Sequence, residues 1–219
     1  MRDFVMLTGM VLKTSPVNDY DRRLVILTKE RGKITAFARG ARRQGSRYLA
    51  ATNPFCFGTF KLFEGKDAYN LAECEISFYF DELRTDYEGM CLGSFLLEYA
   101  DYYTRENNDE VMMLKLLFQS IRAIIKDSID NRLVRVVYEL KAFCVNGEFP
   151  GIAADMNLKE ATIYTINYIQ SSSIEKLYTF AVTEEVLGEL FKLTEEYRRR
   201  LIDRHFMSYD LLDERLLKI

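Results

Sequence analysis

Four arginines, Arg39, Arg42, Arg43 and Arg47, lie within nine positions of the stretch FARGARRQGSRY, residues 37–48, with no acidic residue among them. A guanidinium group offers a planar fork of donors that matches phosphate oxygens two at a time. The window is wider than the cluster. Between Glu30 and Glu64 stand seven cations, Arg31, Lys33, Arg39, Arg42, Arg43, Arg47 and Lys61, and no anion. A solvated surface ordinarily mixes signs, so such a window sets up a positive field that attracts a polyanion. Phe37 and Tyr48 interleave with the cations. An aromatic ring on a basic face can stack on a nucleobase, for roughly 1–3 kcal/mol. The candidate nucleic-acid-binding residues are therefore Arg31, Lys33, Phe37, Arg39, Arg42, Arg43, Arg47 and Tyr48. Nothing in the stretch reads base edges, so binding is expected to be salt dependent and without sequence preference. The competing reading is a solvated loop with Phe37 packed beneath it.

No grouping of residues looks catalytic, and the chain is expected not to be an enzyme. His205 is the only histidine, and on a C-terminal helix it reads as a surface or half-buried side chain rather than a base. Gly40 and Gly45-Ser46 have the spacing of a phosphate loop but lack its lysine. Asp109/Glu110, Glu184/Glu185 and Glu195/Glu196 are adjacent pairs, whose side chains diverge on a helix, so they read as first-turn and solvent-face charges. The four cysteines, Cys56, Cys74, Cys91 and Cys144, are 18, 17 and 53 residues apart, which suits free thiols better than zinc ligands. No metal or other cofactor is expected.

These residues need a frame. The first 76 residues hold 13 Lys and Arg against 8 Asp and Glu, while the remainder holds 17 against 25. A basic half and an acidic half suggest two domains with different partners. The first reads as strands at 4–14, 23–28, 33–40, 54–65 and 68–76, with Gly32 in a turn and a hairpin around Glu64 to Asp67. Five short strands with a long loop after the third suit a small barrel of the OB type; an SH3-like barrel or a meander would look much the same. On an OB barrel the second and third strands form the binding face, where Lys33, Phe37 and Arg39 would lie. The second half reads as helices at 87–105, 110–126, 132–145, 158–169, 184–202 and 209–217. The second of these is apolar nearly all round and is expected to be central. Thr183 is a candidate cap for the long helix that follows it, and Ser172 with Glu175 a candidate capping box. The stripe Leu187, Leu190, Phe191, Tyr197 and Leu201 reads as core. The predicted class is α+β: an OB-fold barrel over residues 1–80, then a helical domain over 81–219. No stretch approaches the roughly 18 apolar residues of a membrane span, and the N-terminus lacks a signal-peptide layout. The expectation is a cytoplasmic protein with no membrane partner.

The order VLKT, YDRRLVILTKERGKITAFARGARRQGSRY, NPFCFGTFKLFEGKDAYNLAECEI resembles the N-terminal domain of the bacterial recombination mediator RecO. The most specific part is Leu27, Thr28, Gly32, Lys33 and Ile34, followed by Gly40, Ala41, Arg42, Arg43, Ser46 and Arg47. YRRRLIDRHFMSYDLLD resembles the family's closing helix. The resemblance implies an OB fold and a helical domain. It also implies binding of single- and double-stranded DNA, annealing of complementary strands, and loading of RecA, with RecR, onto DNA coated by single-strand-binding protein (SSB). On this reading the protein joins the nucleoid during repair. It further implies that the helical domain meets the acidic, apolar C-terminal tail of SSB. Arg198, Arg199, Arg200 and Arg204, beside Phe206, are the candidate rim for that tail; the alternative is that these cations complement a helix dipole. Many family members carry a four-cysteine zinc module after a G-x-x-P turn. Here that turn is Gly147 to Pro150 and no cysteine follows it, so zinc is expected to be absent and residues 151–173 to form ordinary helix and loop. The rival function is an OB-fold RNA-binding or translation-associated adaptor.

Overall fold

Alternation makes Gly32–Ala38 a strand: Ile34, Ala36 and Ala38 are buried, while Lys33, Thr35 and Phe37 face outward. It is β3 of five strands in the computed structural model of the chain, which describes residues 4–152 and 156–217. The others are β1, Phe4–Val17; β2, Asp21–Thr28; β4, Phe57–Glu64; and β5, Tyr69–Phe78. A single turn of helix, α1 at Tyr48–Ala51, lies between β3 and β4. The strands close in the order β1-β2-β3-β5-β4, with β4 returning to β1. All neighbours are antiparallel except β3 and β5, which run parallel through Ala36, Phe37, Tyr69 and Asn70. This is an OB-type barrel, and it settles the choice the strand pattern left open. Its interior is filled by Leu7, Val11, Leu24, Ile26, Phe60 and Leu62, among others. Closure brings backbones together at Gly9 and Gly58, which are register partners; a side chain on them would meet the carbonyls of Leu27 and Glu75. The hairpin between β4 and β5 closes where Gly65 N donates to Ala68 O at 3.0 Å.

The chain divides into two compact units, Met1–Glu82 with Leu97–Leu114, and Leu83–Leu96 with Lys115–Ile219. The sequence alone gives no sign that 97–114 folds with the barrel. Its ties include backbone hydrogen bonds: Lys33 N donates to Arg105 O at 3.0 Å, and Asn107 N to Arg31 O at 3.0 Å. Gly32, at φ +63°, is pressed against the Arg105 carbonyl, so only glycine fits there.

Helices α2, Tyr87–Tyr103, and α3, Val111–Ile124, are each shared between the units by this division. The remaining helices, α4 Asn131–Val145, α5 Glu160–Ser171, α6 Glu184–Leu201 and α7 Glu214–Leu217, belong to the second unit. The apolar pattern points to 110–126 as the central helix, but α3 leaves Met112, Lys115 and Arg122 exposed. The helix buried on every side is α4, whose residues from Leu133 to Phe143 are all buried, Arg135, Glu139 and Lys141 included. Those charges hide it from a hydrophobicity reading. Asp130 caps it through Arg132 N, and Gly147, at φ +71°, ends it. After the Gly147–Pro150 turn, the described residues form a loop and α5; residues 153–155 lie outside the described part. The C-terminal carbonyls of α5 are held by a side chain: Lys141 Nζ donates to Ile169, Gln170 and Ser172 at 3.0, 2.8 and 2.8 Å. Burial lowers the pKa of this ammonium. Ser172 is thus the C-cap of α5, and the following 3₁₀ turn, Ile174–Lys176, starts from Ser173 without a capping-box hydrogen bond. Thr183 caps α6 as expected, accepting from Val186 N at 3.3 Å. The closing helix is in two pieces, a 3₁₀ turn at Tyr209–Leu211 and α7, because Leu212 between them is extended. Among the described helices none is long and apolar enough to cross a membrane.

Candidate nucleic-acid interface

The arginine loop leaves β3 at Ala38 and is tied to the neighbouring turn between β1 and β2. Gly40 N donates to Asp21 Oδ1 at 2.8 Å, and Arg42 N to Tyr20 O at 2.8 Å. Ala41, fully buried, plugs the loop into the barrel end. Gly40 and Gly45 take positive φ, +66° and +75°, so the backbone folds back on itself, with Arg43 N to Gly40 O at 3.1 Å and Ser46 N to Arg43 O at 3.0 Å. Beneath runs a brace. Arg22 Nη1 donates to Leu49 O, Thr52 Oγ1 and Asn53 Oδ1 at 2.9, 2.8 and 2.9 Å. Its pKa is lowered by burial and then by the charge of Arg42. The local sequence therefore builds a fixed loop rather than a free one.

The candidate residues divide. Arg39, Arg42, Arg43 and Arg47 are exposed, and among the described residues none of the four forms an ion pair. Arg43 lies 5.3 Å from the centre of the Tyr20 ring, and Arg47 4.8 Å from that of Tyr48. Arg47 also donates to the Tyr48 hydroxyl at 2.6 Å, which in turn donates to Ala72 O at 2.5 Å. That hydrogen bond raises the Arg47 pKa further above its already high value. Phe37 is half-buried on the outer face, paired across the strands with Arg23 and beside Asn70. Arg31 and Lys33 stand apart, because each has a carboxylate. Arg31 is 3.6 Å from Glu64, and Lys33 is 2.9 Å from Asp101 Oδ1 with a second bond, 2.5 Å, to the Asp101 carbonyl. The sequence shows no anion between Glu30 and Glu64, but the fold supplies one to Lys33 from 68 residues away.

Three residues of this surface escape the sequence reading. Tyr20, 52% exposed, sits at the β1–β2 turn. Arg22 is the brace. Arg23 is exposed on the outer face opposite Phe37 and donates to Thr35 Oγ1 at 3.4 Å. The strand read at 23–28 already begins with Arg23, and its alternation sets Arg23 on the face opposite the buried Leu24, beside the cluster; nothing local marks Tyr20 or Arg22.

Two family models match the chain: recombination protein O, N terminal, over residues 1–80, and recombination protein O, C terminal, over residues 151–210. The chain belongs to the RecO family. It is similar to the DNA repair protein RecO of Acetivibrio thermocellus, at 25% identity with 96% of each chain covered. It is similar to that of Clostridium perfringens strain 13, at 27% identity over 93% of this chain and 95% of the other. The protein of the same name from Alkaliphilus metalliredigens is 32% identical over 67% of this chain and 59% of its own length. The chain is therefore a member of a DNA repair protein family, built as an OB-like barrel with helices after it.

In this RecO-family chain the basic end of α6 is not a simple rim. Arg198 turns inward: it is 2.6 Å from Glu195 Oε2, 3.9 Å from Glu139 Oε1, and 3.9 Å from the centre of the Tyr209 ring. Phe206 is buried, edge-on to Phe95 at 6.0 Å. Arg204 is exposed, 6.0 Å from the Phe206 ring centre. Arg199 and Arg200 are exposed and line an open groove of about 700 Å³ with Lys192, Glu195 and Glu196, over Phe191 and Leu217. Lys192 is a member of this group that the sequence reading lacks.

Behind α6 lies an internal charge cluster. Arg135, completely buried, pairs with Glu195, donates to Leu216 O, and stands 3.5 Å from the buried carboxylate of Glu139. The rings of Phe95, Phe191 and Tyr209 surround its guanidinium at 5.6, 5.1 and 5.3 Å. Burial raises the Glu139 pKa, although Arg135 and Arg198 oppose it. Burial also acts to raise that of Glu195, but the hydrogen bond from Arg198 and the charges of Arg135 and Arg198 outweigh it and hold this carboxyl below the usual range. Glu195 thus differs from the solvent-face charge that its adjacent pairing with Glu196 suggests. Among the described residues, no group of three or more His, Cys, Asp or Glu is placed to hold a metal ion.

Proposed function

We propose that this DNA repair protein grips the sugar–phosphate backbone with Arg39, Arg42, Arg43 and Arg47, aided by Phe37 and Tyr48. Arg31 and Lys33 contribute more weakly, since each already faces a carboxylate. Through this surface the protein binds single- and double-stranded DNA, neutralises two strands at once and so lets complementary strands anneal. With RecR it helps load RecA onto DNA coated by SSB. The helical unit receives the acidic tail of SSB in the groove of α6, where Lys192, Arg199 and Arg200 outnumber the exposed Glu196 over an apolar floor, which suits a peptide that is both acidic and apolar. The single observation that supports the DNA reading is a loop of four exposed arginines that form no ion pair among the described residues, a loop hydrogen-bonded to the turn beside it and to the brace beneath. A rigid array loses less entropy on binding than a free one.

The test is annealing of SSB-coated complementary strands by the wild type and by a variant with all four arginines changed to Ala. The variant is expected to lose annealing and to bind DNA roughly a hundredfold more weakly at low salt, with the slope of log affinity against log salt shallower by about 3. An unaltered slope would remove these residues from the interface. Tighter binding of single-stranded RNA than DNA, without annealing, would favour the adaptor reading instead.

A further inference from the structure

We infer that Tyr20 and Arg43 form a stacking shelf for one unpaired nucleobase, so that the interface takes single-stranded DNA by a base face as well as by phosphate; this rests on the DNA-binding reading above and adds a preference for strand form to it. Tyr20 is a large aromatic residue left 52% exposed at the tip of a turn. Among the described residues its hydroxyl makes no hydrogen bond, so the ring is not positioned to satisfy a partner of its own. The Arg43 guanidinium lies over one face of the ring, 5.3 Å from its centre and within cation–π range, so a base would take the opposite face with the cation behind the ring.

The shelf is rigid. Asn18 holds positive φ at the turn, Tyr20 O accepts from Arg42 N, and Asp21 accepts from Gly40 N, so turn and arginine loop move as one. The other aromatic side chains of the surface are less open. Tyr48 is half-buried and anchored to Ala72 O, and Phe37 is half-buried against the sheet. A base in a duplex already has neighbours on both faces, whereas an unpaired base can leave the stack and lie on a ring. Phosphates of the same strand would meet Arg42 and Arg39 along the loop.

Tyr20→Ala leaves every backbone bond of the turn in place, and Tyr20→Phe keeps the ring. The experiment measures binding by fluorescence anisotropy to a single-stranded oligonucleotide, to a blunt duplex of the same length, and to an abasic strand that offers backbone alone. Tyr20→Ala is expected to bind the single strand about tenfold more weakly, leave the duplex and the abasic strand unchanged, and erase the preference for bases over abasic backbone. Tyr20→Phe is expected to behave as wild type. Circular dichroism confirms that each variant folds. Equal losses on single strand and duplex, or no loss at all, overturn the shelf while leaving backbone binding standing. A wild type that binds none of the three removes the DNA reading, and the shelf with it.

Discussion

Two arginine-rich regions of this chain look alike in sequence and are opposites in the fold. In the loop from Arg39 to Arg47 the four guanidinium groups are exposed, those of Arg43 and Arg47 against tyrosine rings, with no ion pair among the described residues. Across α4 and α6, Arg135 is sealed in and Arg198 turns to join it, each facing Glu139 or Glu195. The difference lies in where the anion comes from. A charge enters a protein interior only with its partner, because an unpaired one costs several kcal/mol. The helical unit supplies its own carboxylates and gains a fixed core. The loop supplies none, which leaves its fields open to a polyanion from outside. Arginine count alone does not separate the two roles; the carboxylates within reach do.

The largest expected effect breaks the internal side. Arg135→Ala leaves the buried Glu139 carboxylate with only the distant Arg198, 3.9 Å away, and Glu195 with Arg198 and the Tyr209 hydroxyl. It should cost about 3–5 kcal/mol of stability, measured by urea denaturation followed by circular dichroism. The salt slope of DNA binding at low temperature should not move. The four loop arginines changed to Ala give the mirror image, with a shallower slope and stability within about 0.5 kcal/mol of wild type. If the loop variant were the one that unfolds, the contrast between the regions would fail.

Arg22 sharpens the comparison from within the first unit, because it is an arginine of the interface that is used internally. Arg22→Ala removes three hydrogen bonds under the loop and should cost about 1–2 kcal/mol of stability. DNA affinity should fall as the loop loosens, yet with the salt slope kept, since all four outer arginines remain. A slope that drops by about 1 would make Arg22 a phosphate contact instead.

Much of the barrel was legible because its signals are local. The strand at 33–40 was readable from alternation, which sets Lys33 and Phe37 on one face and the buried Ile34, Ala36 and Ala38 on the other, and the glycine at 32 marked a turn. The cation window was legible for the same reason, being continuous in the chain. What could not be read was every feature made by pairing over distance. Asp101 reaches Lys33 across 68 positions, and Glu195 reaches Arg135 across 60. Hydrophobic patterning counts Arg135, Glu139 and Lys141 as solvent-facing, so it passed over α4 as the central helix. Phe206 looked like a surface anchor for the same reason: its cover, Phe95, is more than a hundred residues away.

Acid should act on the internal region first, and the two carboxylates act with opposite sign. Glu195 has a folded pKa below the ordinary glutamate value, so its contribution is present above about pH 4.5 and is lost as pH falls through the depressed value. Glu139 has a raised folded pKa, so its contribution is full below the ordinary value and declines as pH rises through the raised one. Urea midpoints measured across pH should therefore show Glu195→Gln flattening the acid limb and Glu139→Gln flattening the decline on the other side. If both substitutions changed the same limb, the two carboxylates would not have the separate roles assigned to them.

The smallest effect tests how bare the loop is. Asp19, exposed on the β1–β2 turn, neighbours the shelf at Tyr20 and has no bond that holds it to the loop, whereas Asp21 is engaged by Gly40 N. It is the one carboxylate of that turn whose charge simply subtracts from the field over Arg42 and Arg43. A unit charge some 8 Å from a phosphate in water is worth about 0.5 kcal/mol. Asp19→Asn should therefore tighten DNA binding roughly twofold at low salt, and the gain should vanish at high salt as screening shortens the reach of the field. Phosphate contact through the loop requires that direction of change. A loss of affinity on removing this negative charge would mean that the strand does not pass over the turn, and that the unpaired arginines serve something other than DNA backbone.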